Sequence, residues 1–274
     1  MSLLHFHLVD QVVAPLLDLN AKSLEEARLP IVLSLSQEDL HHAQVLRLKP
    51  GEHIAIIDAS KDYFECELVS VSAKEIRVTV SRRLNAPSLP NISLIQGLPK
   101  SDKMEGIIRH ATEIGIKLVV AWQSYRSISK LNPQKAEQKR KRWQEIARSA
   151  SMQSGRIDIP EVEVGLSSKD LASYLADYDY VFVCYEEAPL NASLSEELAG
   201  LLALETRDIK ELKIALLIGP EGGIDAQELG LLQSLETLKL VSLGSTILRT
   251  ETAALVACAL AVNEYNRVCM RSGS

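Results

Sequence analysis

Two blocks hold the residues whose types and spacing could do chemistry: Leu217-Ile218-Gly219-Pro220-Glu221-Gly222-Gly223, and further on Leu243-Gly244-Ser245-Thr246-Ile247-Leu248-Arg249-Thr250-Glu251-Thr252-Ala253-Ala254. Each joins an apolar strand-like run (214–218 and 238–243) to a helix through a loop with few side chains. Three glycines and a proline in residues 219–223 let backbone approach a ligand closely and fix the turn. Asp225 and Glu228 have capping-box spacing, and Thr250 is placed to cap a helix running through Ala261. If the two runs are neighbouring parallel strands, both loops reach the carboxyl edge where ligands of open α/β sheets bind. The expected ligand-binding residues are Leu217, Ile218, Gly219, Pro220, Glu221, Gly222, Gly223, Leu243, Gly244, Ile247, Leu248 and Arg249.

Absent motifs narrow the ligand. No G-x-G-x-x-G follows a strand and no G-x-x-x-x-G-K-[ST] occurs, so neither a dinucleotide fingerprint nor a phosphate cradle is present. A molecule of adenine, ribose and a sulfonium suits such loops better, since main-chain amides and carbonyls can read a base edge. Arg249 directly follows the ligand loop and is the candidate catalytic residue, stabilising a developing anion; capping the loop or pairing with Glu251 is the equal alternative. Glu221 is expected to hold its loop by accepting backbone amides, because a base at neutral pH would need a raised pKa. His41-His42 lacks the further ligands of a metal set, so no metal is expected; the pair is read as starting a helix that packs or touches RNA.

The elements that must position these residues follow from patterning. Runs at 53–58, 63–69 and 76–81 read as short strands of a small β domain, and 85–91 as a proline-containing linker. Beyond it come strand 92–96, helix 102–114, strand 117–122, helix 133–151, strand 180–185, helix 193–204 and the two blocks. Alternating strands and helices imply a parallel α/β sheet. The domains are therefore drawn at 1–84 and 92–274.

The 274-residue chain is 46% apolar with a net charge of −6. That content supports a real core. No apolar run reaches the ~20 residues of a membrane helix, and 1–20 is broken by His5, His7, Asp10 and Gln11 where a signal core would lie. A cytoplasmic protein is expected, its four cysteines reduced. Net negative charge argues against nucleic acid, whose binding is dominated by phosphate neutralisation. Yet from Arg126 to Arg156 nine Lys or Arg face two acids, Glu137 and Glu145. With Trp143, Ile146 and Ala150 at helical spacing to anchor the run, RNA contact is preferred over a solvated face.

The two blocks resemble the carboxyl-terminal motifs of the bacterial 16S ribosomal RNA uridine-N3 methyltransferases (the RsmE family) of the SPOUT class. The likeness extends to His41-His42-Ala43-Gln44-Val45-Leu46-Arg47-Leu48-Lys49-Pro50-Gly51, Lys103-Met104-Glu105, Ala111-Thr112-Glu113-Ile114-Gly115, Arg142-Trp143 and Gln153-Ser154-Gly155-Arg156. The chain departs from it at Ser245-Thr246, where proline and arginine are usual, at Tyr125, where glutamate is usual, and at Arg109-His110. An early arginine is also missing. The resemblance implies an α/β fold with a C-terminal SPOUT-type parallel sheet and trefoil knot, plus a small N-terminal PUA-like β-barrel that helps bind RNA. It implies S-adenosyl-L-methionine as cofactor, 16S rRNA within the small ribosomal subunit as partner, and a homodimer. Arg47, Lys103, Arg126, Lys139, Arg140, Lys141, Arg142 and Arg156 are the expected RNA contacts. The rivals are a SPOUT methyltransferase on another RNA and a non-catalytic RNA-binding assembly protein.

Overall fold

The structure, a computed structural model, describes residues 3–8, 10–14, 30–85, 89–128 and 130–271. The chain forms two compact units, Met1–Pro87 with Ser151–Asp158, and Ser88–Ala150 with Ile159–Ser274. Residues 151–158, drawn from sequence into the second domain, thus group with the first.

In the first unit β1 (Leu4–His7), β2 (Ile31–Val32), β3 (His53–Ile57), β4 (Tyr63–Val71) and β5 (Ile76–Leu84) form one sheet ordered β1-β3-β4-β5-β2. Alternation places Phe64, Cys66, Leu68, Ile76, Val78 and Val80 in the core, as a period of two requires. Neither β1 nor β2 is legible in the sequence: β2 is two residues long and β1 carries histidines at alternate positions. Between the segments of these two edge strands the Gln11 carboxamide substitutes for a ladder, donating to Val32 O at 2.8 Å and accepting from Ser34 N at 2.8 Å.

Helix α1 (Gln37–Val45) starts before the paired histidines, because Ser36 caps it in a reciprocal box with Asp39. His41 and His42 lie within the helix, not at its start. It ends in a Schellman arrangement, Leu48 N to Ala43 O and Arg47 N to Gln44 O, with Arg47 at φ 54°, a place usually taken by glycine.

In the second unit β6 (Ile92–Gly97), β7 (Leu118–Gln123), β8 (Glu161–Ser167), β9 (Tyr180–Cys184), β10 (Ile214–Ile218) and β11 (Leu238–Val241) form a sheet ordered β11-β9-β10-β6-β7-β8. All its pairs are parallel. Helices α2 (Lys103–Ile114), α3 (Pro133–Ser154), α5 (Leu194–Leu204) and α7 (Thr250–Arg271) supply the apolar layer on one face; α4 (Ser168–Leu175) and α6 (Ala226–Leu232) cover the other. Asn132 opens α3, its Oδ1 accepting from Lys135 N at 2.8 Å, with Pro133 at the first helical position, where a missing N–H costs nothing. Edge strand β8 and helix α4 are absent from the sequence reading, although Val162, Val164 and Leu166 alternate with Glu161, Glu163 and Gly165 at the period of a strand.

Residue pairing sets the level of the carboxyl edge. Cys184 lies beside both Val241 and Ile218, and Ile218 beside Gln96. Four strands therefore end together.

Candidate active site

Loops after β9, β10 and β11 enclose a cavity of about 460 Å³ at that edge, within the usual range for small-molecule sites. Ile218, Gly219, Pro220, Glu221, Gly223, Leu243, Gly244, Ile247, Leu248 and Arg249 line it, so both blocks reach one space. Two expected lining residues do not. Leu217 is 0% exposed and packs into the layer under α4 and α6, because alternate residues of a strand face opposite ways. Gly222 turns away as well: a Cβ built there would sit 3.1 Å from Arg126 Cβ.

Sequence reading missed Cys184, Tyr185, Glu186, Leu190, Ile224 and Ser242. The available signal for most of them was position, directly after a strand of the same sheet. Burial pushes the Cys184 thiol up to about 12, which keeps it protonated at neutral pH.

The first loop is closed by Gly223 N donating to Pro220 O at 2.9 Å, with Gly223 at φ 73°. It passes so near β6 that a Cβ on Gly97 would lie 2.5 Å from Pro220 Cδ. Gly97 is thus a steric requirement that no local pattern announced. Thr250 does not spend its hydroxyl capping α7. Its Oγ1 donates to Gly219 O at 2.6 Å and accepts from the buried Gln96 Nε2 at 2.9 Å. Helix α7 also continues ten residues past the expected end at Ala261, to Arg271.

Glu221 holds its loop, accepting from Lys100 N at 3.2 and 3.3 Å and pairing with Lys103 Nζ at 3.1 Å. Burial raises its carboxyl, but its own backbone amide, Lys103 and the Lys100 amide outweigh that and hold it below the usual range. The same Lys103 pairs with Glu251 Oε2 at 3.0 Å. Glu251 is depressed first by its own backbone amide, then, against burial, by Lys103. Exposed Arg249 has no ion pair with Glu251 among the described residues.

Outside the cavity, Arg126 braces the first loop, with Nη1 donating to Gly222 O at 3.0 Å and Nε to Asp225 Oδ2 at 3.3 Å. The capping box of Asp225 and Glu228 forms as its spacing predicts. Glu228 does more than cap. Only 1% exposed, it accepts from Ser124 Oγ, Tyr125 N and Ser168 Oγ, joining β7, α4 and α6 through one satisfied carboxylate.

The basic residues are spread over different settings. On α3, Lys139 lies 5.0 Å over the Trp143 ring, Arg140 pairs with Glu137 at 2.8 Å, Lys141 is 3.8 Å from the same carboxylate, and Arg142 reaches Glu105 at 2.9 Å. The Lys141 and Arg142 side chains are 73% and 67% exposed, which leaves their charge available to a polyanion. In the first unit Arg47 is exposed beside Val45 and Leu46, themselves 62% and 46% exposed. Arg156 differs from the exposed cations: it is 6% exposed and pairs with Asp158 at 2.8 Å, so its guanidinium is buried against the 151–158 segment. Among the described residues no group of three or more His, Cys, Asp or Glu could hold a metal, and no helix is long and apolar enough to cross a membrane.

A family model described as RNA methyltransferase domain matches residues 87–262, and one described as RNA methyltransferase PUA domain matches 35–81. Ribosomal RNA small subunit methyltransferase E of Bacillus subtilis (strain 168) is 36% identical over 246 residues, covering 88% of this chain and 92% of that protein. Its counterpart in Mycobacterium bovis is 33% identical over 225 residues, covering 80% and 81%. Among solved structures, ribosomal RNA small subunit methyltransferase E from Neisseria gonorrhoeae bound to S-adenosyl methionine superposes with a TM-score of 0.71 at 24% identity, over 94% of this chain and 95% of that one. By sequence along most of its length and by its architecture, the chain belongs to the RNA methyltransferase family of ribosomal RNA small subunit methyltransferase E.

Proposed function

We propose that the cavity holds S-adenosyl-L-methionine and that the chain methylates N3 of a uridine in 16S rRNA of the small ribosomal subunit. The observation that carries this reading is the convergence of both main-chain loops and Arg249 on one cavity of about 460 Å³. The donor set fits such a molecule: glycine-rich backbone to read a base edge, and apolar Ile218, Leu243 and Leu248 to cover the rest. Gly244 adds room, since a Cβ there meets nothing within 4 Å. The relatives' names and the bound molecule of the Neisseria gonorrhoeae enzyme support the same reading.

When bound, the cofactor supplies a methyl group on a positively charged sulfur, already activated for displacement. The chain's part is then chiefly alignment, which can contribute on the order of 7–11 kcal/mol. Residues 218–221, 223 and 243–248, which line the cavity, orient the donor. Arg249, which lines the cavity and forms no ion pair among the described residues, stabilises the negative charge that develops on the uracil ring as N3 loses its proton. Glu221 is held ionised by Lys103 and backbone amides, and its role is to fix the loop. Exposed cations on α3 and at Arg47 draw in the RNA backbone.

The wider reading is of a cytoplasmic homodimer whose C-terminal segment forms a trefoil knot, supported by the family to which the chain belongs. Titration calorimetry with S-adenosyl-L-methionine and mass mapping of 16S nucleosides from a deletion strain test the function. Loss of a single N3-methyluridine, restored by the wild-type gene, is the expected result. A missing methyl in a different RNA would assign another target, and a chain that binds no cofactor would be an assembly factor.

A further inference from the structure

Lys103 stands where three elements meet. It is the first residue of α2, it lines the cavity, and its ammonium reaches Glu221 Oε1 at 3.1 Å and Glu251 Oε2 at 3.0 Å. Glu221 belongs to the loop after β10; Glu251 lies in the first turn of α7, two residues beyond Arg249. Each loop of the site thus carries one carboxylate, and both carboxylates share one cation.

We propose that Lys103 is a positioning residue that clamps the two loops of the cofactor site to each other, and that it is not an RNA phosphate contact. This rests on the S-adenosyl-L-methionine reading of the cavity. An ammonium is a point charge with three donors, and here two of them face carboxylates. Leaving them for a phosphate would set Glu221 and Glu251 against each other with only the weaker influence of Arg249 on Glu251 remaining, and like charges in one site disfavour their own ionisation. The three side chains are 31%, 28% and 30% exposed, so their attraction is screened less than that of a fully solvated pair. Neither loop holds the other through ladder bonds. Among the described residues, the polar ties between the two loops are this ion triad and the Thr250 hydroxyl on Gly219 O.

The test uses the full chain and reads cofactor binding by calorimetry, binding of a 16S rRNA fragment across salt concentrations without cofactor, and thermal melting. Lys103→Met is expected to weaken S-adenosyl-L-methionine binding by about tenfold or more, the scale of one lost hydrogen bond to a charged group, with RNA affinity and its salt slope unchanged. Lys103→Arg should recover most of the loss. Glu251→Gln should also weaken cofactor binding, and adding it to Lys103→Met should cost little more, as expected of groups acting as one unit. Wild-type cofactor affinity in Lys103→Met with a shallower RNA salt slope overturns the clamp, as do fully additive effects. Should Lys103→Met fail to fold, Glu251→Gln decides: wild-type cofactor affinity in that variant overturns the clamp. A wild-type chain that takes up no S-adenosyl-L-methionine overturns the cofactor reading and the clamp together.

Discussion

Thr250 donates its hydroxyl to the Gly219 carbonyl at 2.6 Å, across 31 residues of sequence, and accepts from Gln96 at 2.9 Å. One side chain thereby ties the glycine loop after β10 to the start of α7 and to the end of β6. Gln96 is 0% and Thr250 6% exposed, so the bond between them is shielded from water, while Gly219 lines the cavity.

Thr250→Val keeps the shape and removes the hydroxyl. It leaves the Gly219 carbonyl and the Gln96 amide short of partners, and a buried unsatisfied group costs about 1–3 kcal/mol. Urea unfolding should register a loss of that size, with weaker cofactor binding, while Thr250→Ser stays close to wild type. Wild-type stability in the valine variant would refute the tie.

Gly97→Ala places a Cβ 2.5 Å from Pro220 Cδ and 2.5 Å from Pro220 N. Backbone and a ring cannot yield as a flexible side chain does, so destabilisation by about 1–3 kcal/mol or more is expected, together with lost cofactor binding. Gly106→Ala is the control. Nothing lies within 4 Å of its Cβ and it sits inside α2, so a gain of roughly 0.5–1 kcal/mol is expected. Equal melting temperatures for the two variants would count against the close crossing.

Replacing Lys139, Arg140 and Lys141 with Ala should weaken RNA binding and flatten its log–log salt dependence by up to about 0.7–0.9 per lost phosphate contact. Glu137 already engages Arg140 at 2.8 Å, so Lys141, 73% exposed, should account for most of the change. An unaltered slope would make this helix a solvated face.

Arg249→Ala should lower single-turnover methylation by about 10²–10³, the scale of one preorganised oxyanion donor. The cofactor dissociation constant and melting temperature should change little, because Arg249 is exposed and has no ion pair with a carboxylate among the described residues. Normal turnover, or a markedly lower melting temperature, would make the residue structural.

His5 gives the first unit a pH dependence. Its Nδ1 lies 2.8 Å from Leu3 O and its Nε2 2.6 Å from the Tyr63 hydroxyl. A carbonyl only accepts, so Nδ1 carries the proton and Nε2 accepts from Tyr63. Burial lowers the His5 pKa, opposed by the Leu3 carbonyl. With the folded value below the unfolded one, this contribution to stability is present above the usual imidazole value of about 6.5 and lost as pH falls through the folded value. Unfolding measured from pH 7.5 to 5 should show the loss, and His5→Gln should flatten it. An identical pH profile in that variant would exclude His5 as the source.

Local pattern carried the outline of this molecule far. The strands at 53–58, 63–69 and 76–81, the alternation after residue 92, the Asp225–Glu228 cap and the two cavity blocks are all short-range facts, set by period, propensity and spacing within one element. What stayed hidden depends on what lies opposite. Five consecutive apolar residues at 214–218 do not say which of them face α7, so Leu217 reads like Ile218 until both faces of the sheet are covered. Gly222 and Gly244 are the same residue type in similar loops, yet one missing Cβ faces Arg126 and the other opens on the cavity. Lys103 and Arg156 are visible as charges, but Glu221, Glu251 and Asp158 decide what those charges do, and only the last of the three is near its partner in sequence. Side-chain direction and charge pairing at long range are products of packing, and packing exists only once distant strands have met.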